Sequence, residues 1–179
     1  MSRLAPRKRH LPFILLPAAI TTLTSPTPAS TWTNPAGGSW TDLANWTSPA
    51  SVPGNYPGHT TSNGEGVFNL AASAPDFSAY TGYSVAIPNS LNAHVNIQND
   101  KVTLNQSANF TSGSGFSLSV AESPSQTATA SLSGGIFNAI SAHVGTQGTG
   151  SLSVSANTTL STSGLTAGSS ADGKYSHYF

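Results

Sequence analysis

Cysteine is absent from all 179 residues, which excludes disulfides and thiolate-bound metals. Charge is scarce too: Asp, Glu, Lys and Arg make up 7% of the chain, and four of the six basic residues, Arg3, Arg7, Lys8 and Arg9, lie in its first nine positions. Beyond residue 29 only Lys101 and Lys174 stand against Asp42, Glu65, Asp76, Asp100, Glu122 and Asp172, and no arginine remains. Such a surface offers nucleic acid no basic patch, and no guanidinium fork can grip phosphate or carboxylate.

Catalytic and metal-binding signatures are equally sparse. The six acids are scattered singly, without the carboxyl pair that glycoside hydrolysis requires, and are expected to be mostly solvated turn residues. His59, His94, His143 and His177 show no spacing of the His-x-x-x-His kind. Gly145 to Gly150 lacks the aspartate of calcium-binding glycine repeats. Gly113-Ser114-Gly115 reads as a turn and not as a nucleophile elbow. Neither a catalytic residue nor a metal or cofactor is expected, and the chain reads as non-enzymatic.

What the sequence does have is a repeat. Val120-Ala121, Val144-Gly145 and Ala167-Gly168 are copies of one corner at nearly constant spacing. Val144 to Ser151 also aligns with Ala167 to Lys174, with glycines coinciding at the second and seventh positions. A period of about 20 to 50 residues marks a stacked array. Ser117-Leu118-Ser119-Val120 and Ser151-Leu152-Ser153-Val154 alternate small polar with aliphatic residues, the period of a strand with one face inward. The expected fold is therefore all-β, a right-handed parallel β-helix or β-solenoid, because one such unit cannot bury a core alone.

Along the chain, residues 1–29 read as a secretory signal peptide. A basic opening precedes the apolar run Leu11 to Ile20 and the small-residue site Thr27-Pro28-Ala29, with cleavage expected after Ala29 or Ser30. The apolar run is broken by Pro12 and Pro17 and is shorter than the about 20 residues of a membrane span. Localisation is therefore expected to be extracellular, secreted or on the cell surface, with no span left after cleavage.

Residues 30–65 hold all three tryptophans, Trp32, Trp40 and Trp46, and read as a Trp-rich cap and loop. Thr41 or Asp42 can cap a helical turn that brings Leu43 and Trp46 to one side. The three rings have two readings: a platform on which sugars stack, or a closure of the N-terminal end of the array. Residues 66–116 read as irregular first coils built on Val67-Phe68, Tyr83/Val85/Ile87, Val95/Ile97 and Val102/Leu104. Residues 117–179 read as regular coils, with Phe110, Phe116, Phe137 and Ile140 as the bulky core. The next strand is expected near Lys174, but Lys174 to Phe179 abandons the Ser/Leu/Val pattern and leaves no clear cap.

Trp32, Gly38-Ser39-Trp40, Asn45-Trp46 and Val52-Pro53-Gly54, followed by Gly148-Thr149-Gly150-Ser151-Leu152-Ser153-Val154, resemble secreted bacterial β-helix proteins with autotransporter-associated β-strand repeats. Many of that group end in a Pro-Glu-Pro type sorting segment, which has no counterpart here. The resemblance implies the β-helix and carries over no catalytic residue. Together these features point to a secreted structural or adhesin-like segment of a cell-surface or matrix protein. Its expected partners are extracellular polysaccharide, other surface proteins, or further copies of itself through the C-terminal end. The alternatives are a carbohydrate-binding β-sandwich and a fragment of a polysaccharide-acting enzyme.

Overall fold

The computed structural model describes residues 29–47, 56–58, 64–89, 91–106 and 115–168, and the backbone of 174–178. Residues 1–28 of the predicted signal segment 1–29, Val52-Pro53-Gly54 and Phe110 lie outside these residues.

Alternation of small polar with aliphatic side chains makes strands, and parallel stacking of the repeats arranges them. One six-stranded sheet is formed by β1 (Ala29–Thr31), β3 (Gly64–Phe68), β5 (Ala93–Ile97), β7 (Ser117–Val120), β10 (Ser141–Val144) and β13 (Leu165–Ala167), adjacent in that order. A second contains β2 (Gly38–Ser39), β4 (Tyr83–Ala86), β6 (Lys101–Asn105), β8 (Thr127–Ser133), β11 (Thr149–Val154) and β14 (Lys174–Tyr178). In the later passes β9 (Gly135–Ala139) and β12 (Thr158–Thr162) add a two-stranded sheet. All pairings between these strands are parallel. The chain thus visits the first and second sheets in turn, advancing one strand on each. A carbohydrate-binding β-sandwich would need antiparallel sheets, so that alternative fold does not describe this chain.

The corner spacing in the sequence matches the register of the last three strands of the first sheet. Val144 is the Cα partner of both Val120 and Ala167. Ala121, Gly145 and Gly168, which follow those residues, all turn the corner with left-handed φ of 52°, 59° and 57°. Glycine adopts that backbone without strain and alanine does not. Neighbouring passes differ in length: Phe68 pairs with Ile97 and Ile97 with Val120, and the first of these steps along the chain is the longer.

Inward residues of both sheets merge into one buried cluster. Val95, Ile97, Leu118, Val120 and Ala142 face Val85, Leu104, Ala130 and Leu132, each fully buried, and Phe116 and Phe137 fill the span between the sheets. Ile140 corrects the expected core list. Phe137 and Ala139 take the inward positions of β9, and Ile140 falls on the bend after it, 58% exposed. Outward, hydroxyls stack from pass to pass, with Ser151 Oγ donating to Thr129 Oγ1 at 3.1 Å and Ser153 and Ser131 joined at 2.8 Å. This accounts for the Ser and Thr content, since like-positioned hydroxyls satisfy one another across strands.

The two ends of the stack differ. The segment after the helical turn folds back over the outer edge of β1 in antiparallel sense: Thr33 N donates to Asn45 O, and Thr47 N to Thr31 O, both at 2.8 Å. Antiparallel pairing ends the parallel ladder there. At the opposite end the strand expected near Lys174 is present as β14, paired to β11 from Thr149↔Lys174 to Ser153↔Tyr178. The core positions of the last passes are less covered than their counterparts. Leu152, Val154 and Leu160 are half-buried, and Leu165, paired with the fully buried Ala142, is 55% exposed.

Leu132→Ala is expected to cost about 2 to 5 kcal/mol, because the lining of a fully buried site collapses only in part. Leu165→Ala should stay within about 0.5 kcal/mol. Urea unfolding of both variants checks this, and equal losses would contradict the end-to-end gradient in burial.

Candidate functional site

Three places concentrate side-chain interactions. At the first, Trp32 closes β1, Trp40 follows β2, and Trp46 follows the 3-10 turn Leu43–Asn45, whose N-cap Asp42 accepts from Ala44 N at 3.0 Å. The predicted helical turn is present, but Leu43 points outward at 43% exposure while Trp46 goes inward. The turn ends at Asn45, and Trp46 is its C-cap in extended backbone (φ −121°, ψ 145°), so the spacing that would align it with Leu43 inside a helix does not apply. Trp32 and Trp40 are 0% exposed and Trp46 is 6% exposed. The rings meet edge-on, Trp32 and Trp46 at 5.0 Å and Trp40 and Trp46 at 4.6 Å between centroids, and pack on Phe68 and Tyr83. Each indole N–H donates to a carbonyl: Trp32 to Asn34 O at 2.6 Å, Trp40 to Pro57 O at 2.9 Å and Trp46 to Trp40 O at 2.7 Å. Gly66 is the floor of this cluster, because a Cβ there would lie 2.6 Å from the Trp40 ring. With their faces packed and their N–H groups used, these tryptophans present no surface to a sugar. A platform made of them would require this end of the stack to open.

The second place is Asp100, which by composition alone reads as a solvated turn residue. It is fully buried. Its Oδ2 accepts from Leu70 N at 2.9 Å and from the Tyr83 hydroxyl at 2.8 Å, and its Oδ1 accepts from Lys101 N at 2.9 Å. The carboxylate therefore ties a loop of the preceding pass to the start of β6. Burial pushes its carboxyl above the usual range, although the hydrogen bonds pull the other way. Burial, followed by the nearby Asp100 charge, pushes the Tyr80 phenol up to about 12 and raises that of Tyr83 further.

The third place is a shallow cleft of about 450 Å³ on the outer face of the first sheet, walled by His94, Ser119, His143 and Glu122 with Ile140 at its rim. Outward positions of three adjacent strands meet there. His94 on β5 is the Cα partner of Glu65 on β3, and Ser119 on β7 is the partner of Asn96 and of His143. The His94 Nε2 lies 2.8 Å from Ser119 Oγ, and its Nδ1 lies 3.7 Å from Glu65 Oε1. Asn96 Nδ2 donates to the same Glu65 oxygen at 2.8 Å. On the far wall His143 Nδ1 stands 3.9 Å from Glu122 Oε1. Nothing in the sequence marks these residues as a group, since long stretches of chain separate Ser119 from His94 and His94 from Glu65. Among the described residues no three His, Asp or Glu side chains converge on a point where a metal could sit.

No family model, no curated protein and no solved structure matches this chain.

Trp46→Ala should cost about 3 to 5 kcal/mol. Acrylamide should quench the native tryptophan emission poorly, and added polysaccharide should leave it unchanged. Strong quenching that polysaccharide prevents would instead favour the sugar platform. For Asp100, the folded pKa is raised above the ordinary 3.8, so the stability contributed by its protonated form is lost as pH rises through the folded value. Measured against Asp100→Asn, wild-type stability to urea should fall as pH rises from the ordinary carboxylate value of 3.8 upward. A rise over that window would mean that the donors, and not burial, dominate.

Proposed function

We propose that this chain is a right-handed parallel β-solenoid serving as a structural or adhesive segment of an exported bacterial protein, of the kind with autotransporter-associated β-strand repeats. The observation that carries this is the alternation of strands between two parallel sheets, in register over six strands each. Connections between parallel strands of one sheet are right-handed in nearly all proteins, which supports the hand. Export rests on the basic, apolar and small-residue order of residues 1–29. Ser30 is buried and paired with Gly66, which favours cleavage after Ala29 over cleavage after Ser30. The outward rows of Ser, Thr and Asn suit many weak contacts with extracellular polysaccharide or surface proteins, and repetition multiplies such contacts into firm attachment.

Self-association belongs to the same proposal. The uneven burial of the two ends directs it to the end that carries β13 and β14, where a second copy would cover Leu165 and extend the ladders. Sedimentation at rising concentration is expected to show oligomers, and Leu165→Lys is expected to shift them back toward monomer. A monomer at all concentrations, with slow amide exchange persisting through β13, would overturn this part of the proposal.

A further inference from the structure

We propose that Ser119, His94 and Glu65 form an acyl-transfer site on the outer face of the first sheet, acting on neutral esters with a small apolar acyl group. This goes beyond the structural role, which needs no chemistry. A serine hydroxyl is a weak nucleophile until a base accepts its proton, and the base must be held in the correct tautomer by a third group. The first two parts are in hydrogen-bond contact, and the third, Glu65, stands close by at 3.7 Å, an electrostatic rather than a hydrogen-bonded neighbour. The Glu65 carboxylate beside Nδ1 favours the ring proton there, which leaves Nε2 to accept the Ser119 O–H at 2.8 Å. The hydrogen bond from Asn96 fixes the oxygen of Glu65 that faces the ring. The sheet register holds the three strands in place, and a small shift of the Glu65 side chain would close its gap to the ring.

The cleft sets the substrate class. The carboxylate of Glu122 lines it and, with Glu65 behind His94, disfavours anionic esters, while Ile140, also in the lining and 58% exposed, offers contact to a short alkyl group. In the reaction Ser119 Oγ bonds to the acyl carbon as its proton passes to His94 Nε2. The tetrahedral oxyanion is assigned to His143, which lines the cleft and whose Cα is paired with that of Ser119. Collapse breaks the bond to the alcohol, which leaves with the proton from His94. Water then attacks the acyl-serine with His94 as base, releasing a carboxylic acid and restoring the hydroxyl.

The test is covalent labelling of the full chain with a fluorophosphonate, followed by peptide mapping, alongside turnover of p-nitrophenyl butyrate. One adduct is expected, on Ser119, with labelling and turnover slowed at least about a hundredfold in His94→Gln and more mildly in Glu65→Gln. Ser153→Ala, an outward change on the second sheet, should label like the wild type. Far-UV circular dichroism and urea unfolding establish that each variant is folded. Absence of an adduct on folded wild type, an adduct spread over other serines, or undiminished labelling of folded His94→Gln would each overturn the assignment. Mapping on the wild type decides the matter even where a variant fails to fold.

Discussion

In-register parallel stacking is the constraint on which everything else in this chain depends. Each interior strand finds its backbone partners in the pass before and the pass after, so no pass satisfies the amides of its own strands. The same constraint places like positions over one another: aliphatics over aliphatics inside, as Leu118 over Ala142, and hydroxyls over hydroxyls outside, as Ser153 over Ser131. A composition low in charge suits this geometry. A charged row repeated at the about 4.8 Å spacing of strands would repel itself along the whole stack.

That constraint also separates what is legible in the sequence from what is not. The corner spacing foretells the pairing of Val120, Val144 and Ala167 and the start of a strand at Lys174, because a regular period is itself a register. Alternation foretells the inward sets of β4, β5 and β6 for the same reason. Asp100 passes for a solvated residue because Asn99-Asp100-Lys101 has the composition of an exposed turn. Its burial comes from Leu70 and Tyr83, which belong to the preceding pass. Ile140 passes for a core residue because hydrophobicity alone does not show that the inward phase of β9 ends at Ala139.

The cleft on the first sheet is invisible in the sequence for a more basic reason. Placing His94 beside Glu65 and Ser119 requires the lengths of two consecutive passes, and those lengths differ. The regular period of the later corners does not extend back to Phe68 and Ile97. Glu65, His94, Asn96 and Ser119 all occupy polar positions in alternating strands. Once the register is known they must share one face, but alternation by itself says nothing about neighbours in the stack.

The uneven treatment of the two ends follows from the same physics. A parallel ladder can be extended indefinitely by another parallel strand, so stopping it needs a local break in direction or a covered core. At the tryptophan end both devices are present, with residues 45–47 running antiparallel over β1 and three indoles sealing the space beneath. Those indoles are large enough to close the cross-section, and their single N–H groups can be satisfied by nearby carbonyls, which aliphatic residues could not achieve with so few side chains. At the other end Leu165 keeps more than half its surface exposed. Strands β11 and β13 keep the alternation of the interior ones, and that pattern is built to receive a neighbour. The sequence therefore contains a dedicated closure at one end of the stack and, among the described residues, a continuation of the repeat at the other.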